Sequence, residues 1–344
     1  MRIHLIAAAA LLAAGLTACA DTAEDDQKPA SITVVSFGGA YQAAQREAYM
    51  DPFEAETGIK IDEESYDGKY DVLLEKATAP VGGWDVVSVE SEPVIHGDAE
   101  GLIQPIPARV SEGLPLDPAA VRPDAIGHMQ FATVLAFVPP EVGPIPESWA
   151  DMWDMETFPG RRALRNNPRG TLEMALLADG VDPEALYPLD VDRALAKLDQ
   201  IRNQLVFWED GEQPAKLIAD GLVAMTSIFN GRAWAATNEA GLSLGWTMNQ
   251  GLLEMEYWVV PANAPNPEAA FDFIRFSLTT PRQTAFGNAI PYRPTNLDAR
   301  KYVSQATGEA EPSADLSISL NAEWWAENEA AVQARWDAWV MATP

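Results

Sequence analysis

The sequence predicts an α/β protein of two domains, and three observations carry that expectation. Residues 31–61, SITVVSFGGAYQAAQREAYMDPFEAETGIKI, read as strand, glycine turn, helix and strand. The mainly β-branched run at 32–35 suits a buried strand, and Gly38-Gly39 suits a sharp turn that lets a ligand approach the backbone. The chain has 344 residues, and an expected leader of 18 leaves 326, a length that suits two cores. Farther along, short apolar strands alternate with amphipathic helices. A strand–helix–strand unit implies parallel strands, and ligands in such sheets sit beyond the carboxyl ends of the strands. Phe37, Gly38, Gly39 and Tyr41 are therefore candidate site residues; the alternative is a plain strand-to-helix turn.

Residues 1–18 combine a short basic start, Arg2 and His4, with an apolar run at 5–16. The run is too short for a membrane span and reads as a secretory signal peptide. Leu16-Thr17-Ala18-Cys19 resembles a bacterial lipobox, which would make Cys19 a lipidated N-terminus and the protein a lipoprotein of the periplasm, held to the membrane by its lipid alone. Ordinary cleavage after Ala20, since Ala18-Cys19-Ala20 also fits an A-x-A site, is the alternative. Residues 19–30 are acidic and polar and read as a flexible tether.

Composition removes several classes. With 51 acidic and 23 basic residues the net charge is −28, a field that repels phosphate backbones, so nucleic acid is not an expected partner. One cysteine excludes an internal disulfide. Beyond the leader only His96 and His128 remain, so neither a zinc site of the usual His/Cys kind nor a nucleophile–histidine constellation is expected. No phosphate-loop, dinucleotide or nucleophile-elbow motif is present. The expectation is a protein without cofactor, metal or catalysis.

Taken in order, residues 69–77 read as a helix with Tyr70, Leu73, Leu74 and Ala77 on one stripe. Trp84-Asp85-Val86-Val87-Ser88-Val89 reads as a buried strand that places Glu90 at its carboxyl end; Glu90 and Glu92 are either site residues or solvated loop acids. Residues 131–138, FATVLAFV, read as a buried strand bounded by Pro139-Pro140. Ser148 caps a short helix. Residues 192–205 read as one amphipathic helix, with Leu195, Leu198, Ile201 and Leu205 inward. After a strand at 223–228, Asn230-Gly231-Arg232 reads as a turn and 233–240 as a helix. Residues 253–261 form a strand and 268–278 a helix. Residues 323–341 form a last helix whose tryptophans serve packing.

The order of these pieces resembles bacterial extracellular solute-binding proteins of ABC importers, in the polyamine-binding (spermidine/putrescine) group. The marks are Phe53-Glu54-Ala55-Glu56-Thr57-Gly58-Ile59, Trp84-Asp85-Val86-Val87, Ser148-Trp149-Ala150-Asp151-Met152-Trp153, Phe229-Asn230-Gly231-Arg232, Trp258-Val259-Val260-Pro261-Ala262-Asn263-Ala264 and Tyr292-Arg293-Pro294-Thr295-Asn296. The resemblance implies a two-domain periplasmic-binding-protein-like fold of type II, with the ligand cleft between domains joined by crossing strands. It places one domain at 31–136 plus 258–294 and the other at 137–257 plus 295–344. It further implies a monomer that delivers a small solute to the importer's membrane subunits.

The family pocket sets aromatic rings and carboxylates around an ammonium. Each ring contributes on the order of 0.5–2 kcal/mol once desolvated, and the carboxylate adds a charge-assisted hydrogen bond. Carried over, Tyr41 matches an aromatic of the first turn and Glu256 the acid of the crossing strand, with Tyr257, Trp246 and Tyr292 as further candidates. Two departures stand out. Phe229 replaces the Trp of a common Trp-Asn-Gly, and Glu254 stands where an aromatic is usual. Arg232 and Trp234 follow Asn230-Gly231, and an arginine at a strand's carboxyl end suits a ligand carboxylate; a salt bridge to Glu254 or Glu256 is the alternative. The leading expectation is a polyamine such as putrescine or spermidine. The alternative is a zwitterion such as a γ-amino acid, and the alternative of another class is an extracytoplasmic hydrolase.

Overall fold

The computed structural model describes residues 29–313 and 315–342. Ten strands form one sheet: β1 Ser31–Ser36, β2 Lys60–Ser65, β3 Val86–Val89, β4 Ile126–Phe137, β5 Arg162–Arg165, β6 Leu205–Trp208, β7 Met225–Phe229, β8 Gly245–Val259, β9 Arg293–Pro294 and β10 Ser317–Ser319. The order is β2-β1-β3-β8-β4-β7-β5-β6, with β10 beside β8 and β9 beside β4. The expected strand–helix–strand unit is present. β1 pairs in parallel with β2 and β3, helices Gly39–Gln45 and Asp51–Thr57 flank a π-helical turn at Arg46–Met50, and Gly58 closes the second helix at a φ of 77°. On the other side β5 pairs in parallel with β6 and β7.

Two long antiparallel strands join the parallel groups. β8 pairs with β3 at Tyr257–Val259 and with β4 along most of its length, while β4 pairs with β7 from Thr133 to Phe137. The sheet is covered on both faces in each half, as the alternating side chains show. Ile32 and Val34 join Phe53, Trp258 and Phe273 in one apolar cluster, and Val35 joins Val87, Val89 and Tyr257 in another. Leu164 packs with Leu172, Trp325 and Trp336, and Ala163 with Trp208 and Ile228. This is a mixed α/β two-domain periplasmic-binding-protein fold.

Several elements differ from their sequence expectations. The helix expected over 192–205 spans Val191–Asp199; residues Arg202–Gln204 tighten into a 3-10 turn and Leu205 starts β6, because Leu205 pairs with Arg162 of β5. Ile201 stays buried, which prolongs the amphipathic pattern past the helix end. The helix after β7 starts at Asn230, where a turn is expected. Asn230 is a buried junction: Oδ1 accepts from the Ala132 amide at 3.0 Å and Nδ2 donates to Pro291 O at 2.6 Å. β4 and β8 start at Ile126 and Gly245, ahead of the expected 131 and 253, and a helix at Thr280–Ala289 lies where none is expected. Ser148 caps its helix in a capping box with Asp151.

Candidate functional site

Both parallel groups point their carboxyl ends at the same place. Val89, the end of β3, pairs with Tyr257 near the carboxyl end of β8, and Phe229, the end of β7, pairs with Thr133 in the middle of β4. A cavity of about 50 Å³ opens there. It has room for about three to five waters, and so for a short solute. Phe37, Tyr66, Asp67 and Glu90 line it from the ends of β1, β2 and β3; Arg165, Trp208 to Gly211, Phe229 and Arg232 line it from the ends of β5, β6 and β7. Met129, Phe131, Glu256, Tyr41 and Tyr292 complete the wall.

Glu256 is 2 % exposed and projects from β8 opposite Met129 of β4. Ser88 donates to its Oε1 at 3.0 Å. Burial, and next the charge of Glu90, push its carboxyl well above the usual range, against the Ser88 hydrogen bond. The surrounding rings are close: Tyr41 meets Tyr292 edge-on at 5.5 Å, and Phe37 stacks on Tyr66 at 5.3 Å. Burial lifts Tyr41 and Tyr292, the latter to about 12, so each is a neutral ring with a hydroxyl. A buried carboxylate among rings favours a bound ammonium.

Arg232 supplies the opposite charge. It reaches from the helix Asn230–Asn238 to the turn after β1, where Nη2 donates to Phe37 O at 3.2 Å and Gly38 O at 2.9 Å. Its Nη1 makes no hydrogen bond and stands 3.8 Å from Glu212, whose carboxylate is exposed. Gly39 sits against this contact with a φ of 55°: a Cβ there would stand 1.9 Å from Glu212 Oε1 and 2.3 Å from Arg232 Nη1. Arg165 is engaged otherwise, paired to Glu90 at 2.9 Å across the cleft and lying 5.5 Å from the Phe229 ring centroid.

The structure brings Phe37, Tyr41, Glu90, Arg232, Glu256 and Tyr292 to one cavity, with Gly39 at its edge. It puts other candidates elsewhere. Glu254 shares the face of Glu256 but lies 2.8 Å from Arg169; burial raises it to about 7 against the pull of that arginine. Tyr257 falls on the opposite face of β8, in the cluster with Val87 and Val259. Trp246 packs beside Ala132 and Val134, and Trp234 is half-buried outside the cavity wall. Cys19 lies outside the described residues. Sequence reasoning missed Tyr66, Asp67, Arg165, Trp208, Glu209 and Asp210, although each stands at or just past a strand's carboxyl end, the very signal used for Phe37 and Glu90. Among the described residues, no group of three or more His, Cys, Asp or Glu side chains is set to hold a metal.

Comparison with known proteins places this geometry. The family described as bacterial extracellular solute-binding protein matches residues 48–314. A gamma-aminobutyric acid-binding protein of Pseudomonas aeruginosa is 37% identical over 321 residues, 90% of each chain. The spermidine/putrescine-binding periplasmic protein of Escherichia coli is 27% identical over 287 residues, 80% of this chain and 82% of that one. Among solved structures, a protein of A. tumefaciens R10 in complex with agropinic acid superposes with a TM-score of 0.84 at 31% identity, covering 92% of this chain and 100% of the other.

Proposed function

We propose a cargo from one premise: this chain belongs to the bacterial extracellular solute-binding protein family. As such it works outside the cytoplasm and delivers a small solute to the membrane components of an ABC importer. The solute we infer is a short ω-amino acid of the γ-aminobutyrate kind, bound without catalysis. One observation carries the inference: a single small cavity sets a buried carboxyl, Glu256, against a buried guanidinium, Arg232, whose Nη1 makes no hydrogen bond. The name of the Pseudomonas aeruginosa relative supports it. In this reading Tyr41 and Tyr292 pack the ammonium, and Phe37, Glu90 and Arg165 shape the wall.

A second reading, a diamine, has its own support in the acid excess of the cavity, where Asp67, Glu90, Glu209, Asp210 and Glu256 outnumber Arg165 and Arg232. Calorimetry with γ-aminobutyrate, putrescine and spermidine separates the two. Glu256→Gln should weaken γ-aminobutyrate by about 2–5 kcal/mol, the usual cost of unpairing a desolvated charge. For the zwitterion Arg232→Ala should cost as much; for a diamine it should be neutral or favourable. Unimpaired binding by Glu256→Gln would remove this site assignment.

We further propose that Cys19 carries the lipid that anchors the protein, and that the mature chain is a monomer whose domains, divided near residues 136, 258 and 294, close on the cargo. Mass spectrometry of the native protein should find an acylated N-terminal Cys19; an unmodified N-terminus at Asp21 would dismiss the anchor.

A further inference from the structure

Hydrogen bonds lead from His128 to Glu256 behind the cavity, and His128 Nε2 also lies 3.4 Å from Ser88 Oγ. His128 Nε2 lies 3.1 Å from the Tyr41 hydroxyl, that hydroxyl lies 2.9 Å from Ser88 Oγ, and Ser88 Oγ lies 3.0 Å from Glu256 Oε1. All four side chains are buried. Burial brings His128 down to about 3, so its ring is neutral. The ring stacks on Trp258 at 4.2 Å, and its Nδ1 has no hydrogen-bond partner.

Proton counting gives this line a direction. A neutral imidazole carries one proton, each hydroxyl carries one, and an ionised carboxylate only accepts. With Glu256 ionised, Ser88 donates to Glu256, Tyr41 donates to Ser88, and His128 donates to Tyr41 from Nε2. Every proton in the line is then used, and only the lone pair of Nδ1 is idle. The reverse direction needs a proton on Glu256 aimed at Ser88. It makes Nε2 an acceptor and strands an N–H at Nδ1. A buried donor with no partner costs more and is rarer than an idle lone pair.

We propose that His128 is a positioning residue for cargo capture: through Tyr41 and Ser88 it favours the ionised, accepting form of Glu256 that the cargo's ammonium needs, without touching the cargo. The proposal rests on the ammonium reading above. Other groups face the same carboxyl. Glu90 at the end of β3 and Glu254 on β8 oppose ionisation along with burial, while Arg165 at the end of β5 favours it. Tyr41 and Tyr292 face it as neutral rings. The chain from His128 adds to the favourable side, and an arriving ammonium completes it, so binding releases a proton wherever Glu256 was still protonated.

The test reads Glu256 itself. The infrared band of its protonated carboxyl is isolated by subtracting the spectrum of the matching Glu256→Gln protein, and is followed from about pH 5 to about pH 9 without cargo. In His128→Phe, which has no donor, the midpoint should rise by about one unit; in His128→Gln, whose amide donates, it should return toward the wild-type value. γ-Aminobutyrate affinity of His128→Phe should fall about tenfold at the acid end and less at the alkaline end. A merely structural histidine would lower the melting temperature of both variants and leave the midpoint in place, which overturns the proposal. If His128→Phe does not fold, Tyr41→Phe breaks the line one link on and must shift the midpoint the same way. A shifted midpoint with no γ-aminobutyrate binding to the wild type would refute the cargo and leave the chain standing.

Discussion

Glu256 has a cost in the empty protein that it loses on capture. Its carboxyl is raised chiefly by burial, then by the charge of Glu90. The native state thus keeps a proton that the unfolded chain has already released, and stability falls as pH rises from the ordinary carboxylate range through the raised value. Glu254, raised to about 7 by burial, falls in the same direction over the same range. We therefore expect Glu256→Gln to melt higher than the wild type in cargo-free buffer near neutral pH, and the difference to vanish below about pH 4, where both unfolded and native carboxyls are protonated. Thermal melts across that range check the sign. The same substitution that stabilises the empty protein should abolish tight capture, a stability–function trade placed in one side chain.

At the scale of elements, the turn between β1 and the helix Gly39–Gln45 is one place where the two halves touch, through Arg232. Gly39→Ala meets two penalties there. A residue with a side chain at positive φ loses about 1–2 kcal/mol, which thermal unfolding reads. The added Cβ would also displace the side-chain ends of Glu212 and Arg232, and Arg232 is the proposed partner of the cargo's carboxylate, so γ-aminobutyrate affinity should drop about tenfold by calorimetry. A lower melting point with unchanged affinity would exclude this turn from cargo binding. How far such features were legible depends on their range. The strand, turn and helix around Gly38-Gly39 follow from local pattern, and so did the candidacy of Phe37 and Tyr41. On β8 the sequence offered Glu254, Glu256 and Tyr257 together, because local pattern says neither which parity faces the cleft nor how far along the strand the cavity lies; Tyr257 falls on the other face, and Glu254 shares the face of Glu256 but pairs with Arg169. Arg165 escaped notice for a related reason. It ends the four-residue strand β5, and its partner Glu90 comes from the other half of the sheet.

At the scale of the molecule, β4 and β8 run through both halves, and polar contacts cross the cleft: Arg165 with Glu90, Arg169 with Ser91, Lys69 with Glu209, His96 with Glu329, and Arg232 with the Phe37 and Gly38 carbonyls. Such contacts exchange readily with water, which suits rotation about the paired strands. Small-angle scattering should show a smaller radius of gyration with saturating cargo than without it; an identical radius would argue against closure. The shared strands have another consequence, for how the chain reaches its shape. Val87 of β3 pairs with Val259 of β8, so the sheet of the first half is incomplete until the other half has been synthesised. N-terminal-first folding during synthesis is denied to this chain, and long-range pairing slows collapse. For a protein that works outside the cytoplasm this delay has a use: the topology that shares two strands between the lobes leaves the sheet of the first lobe open until the last third of the chain is made.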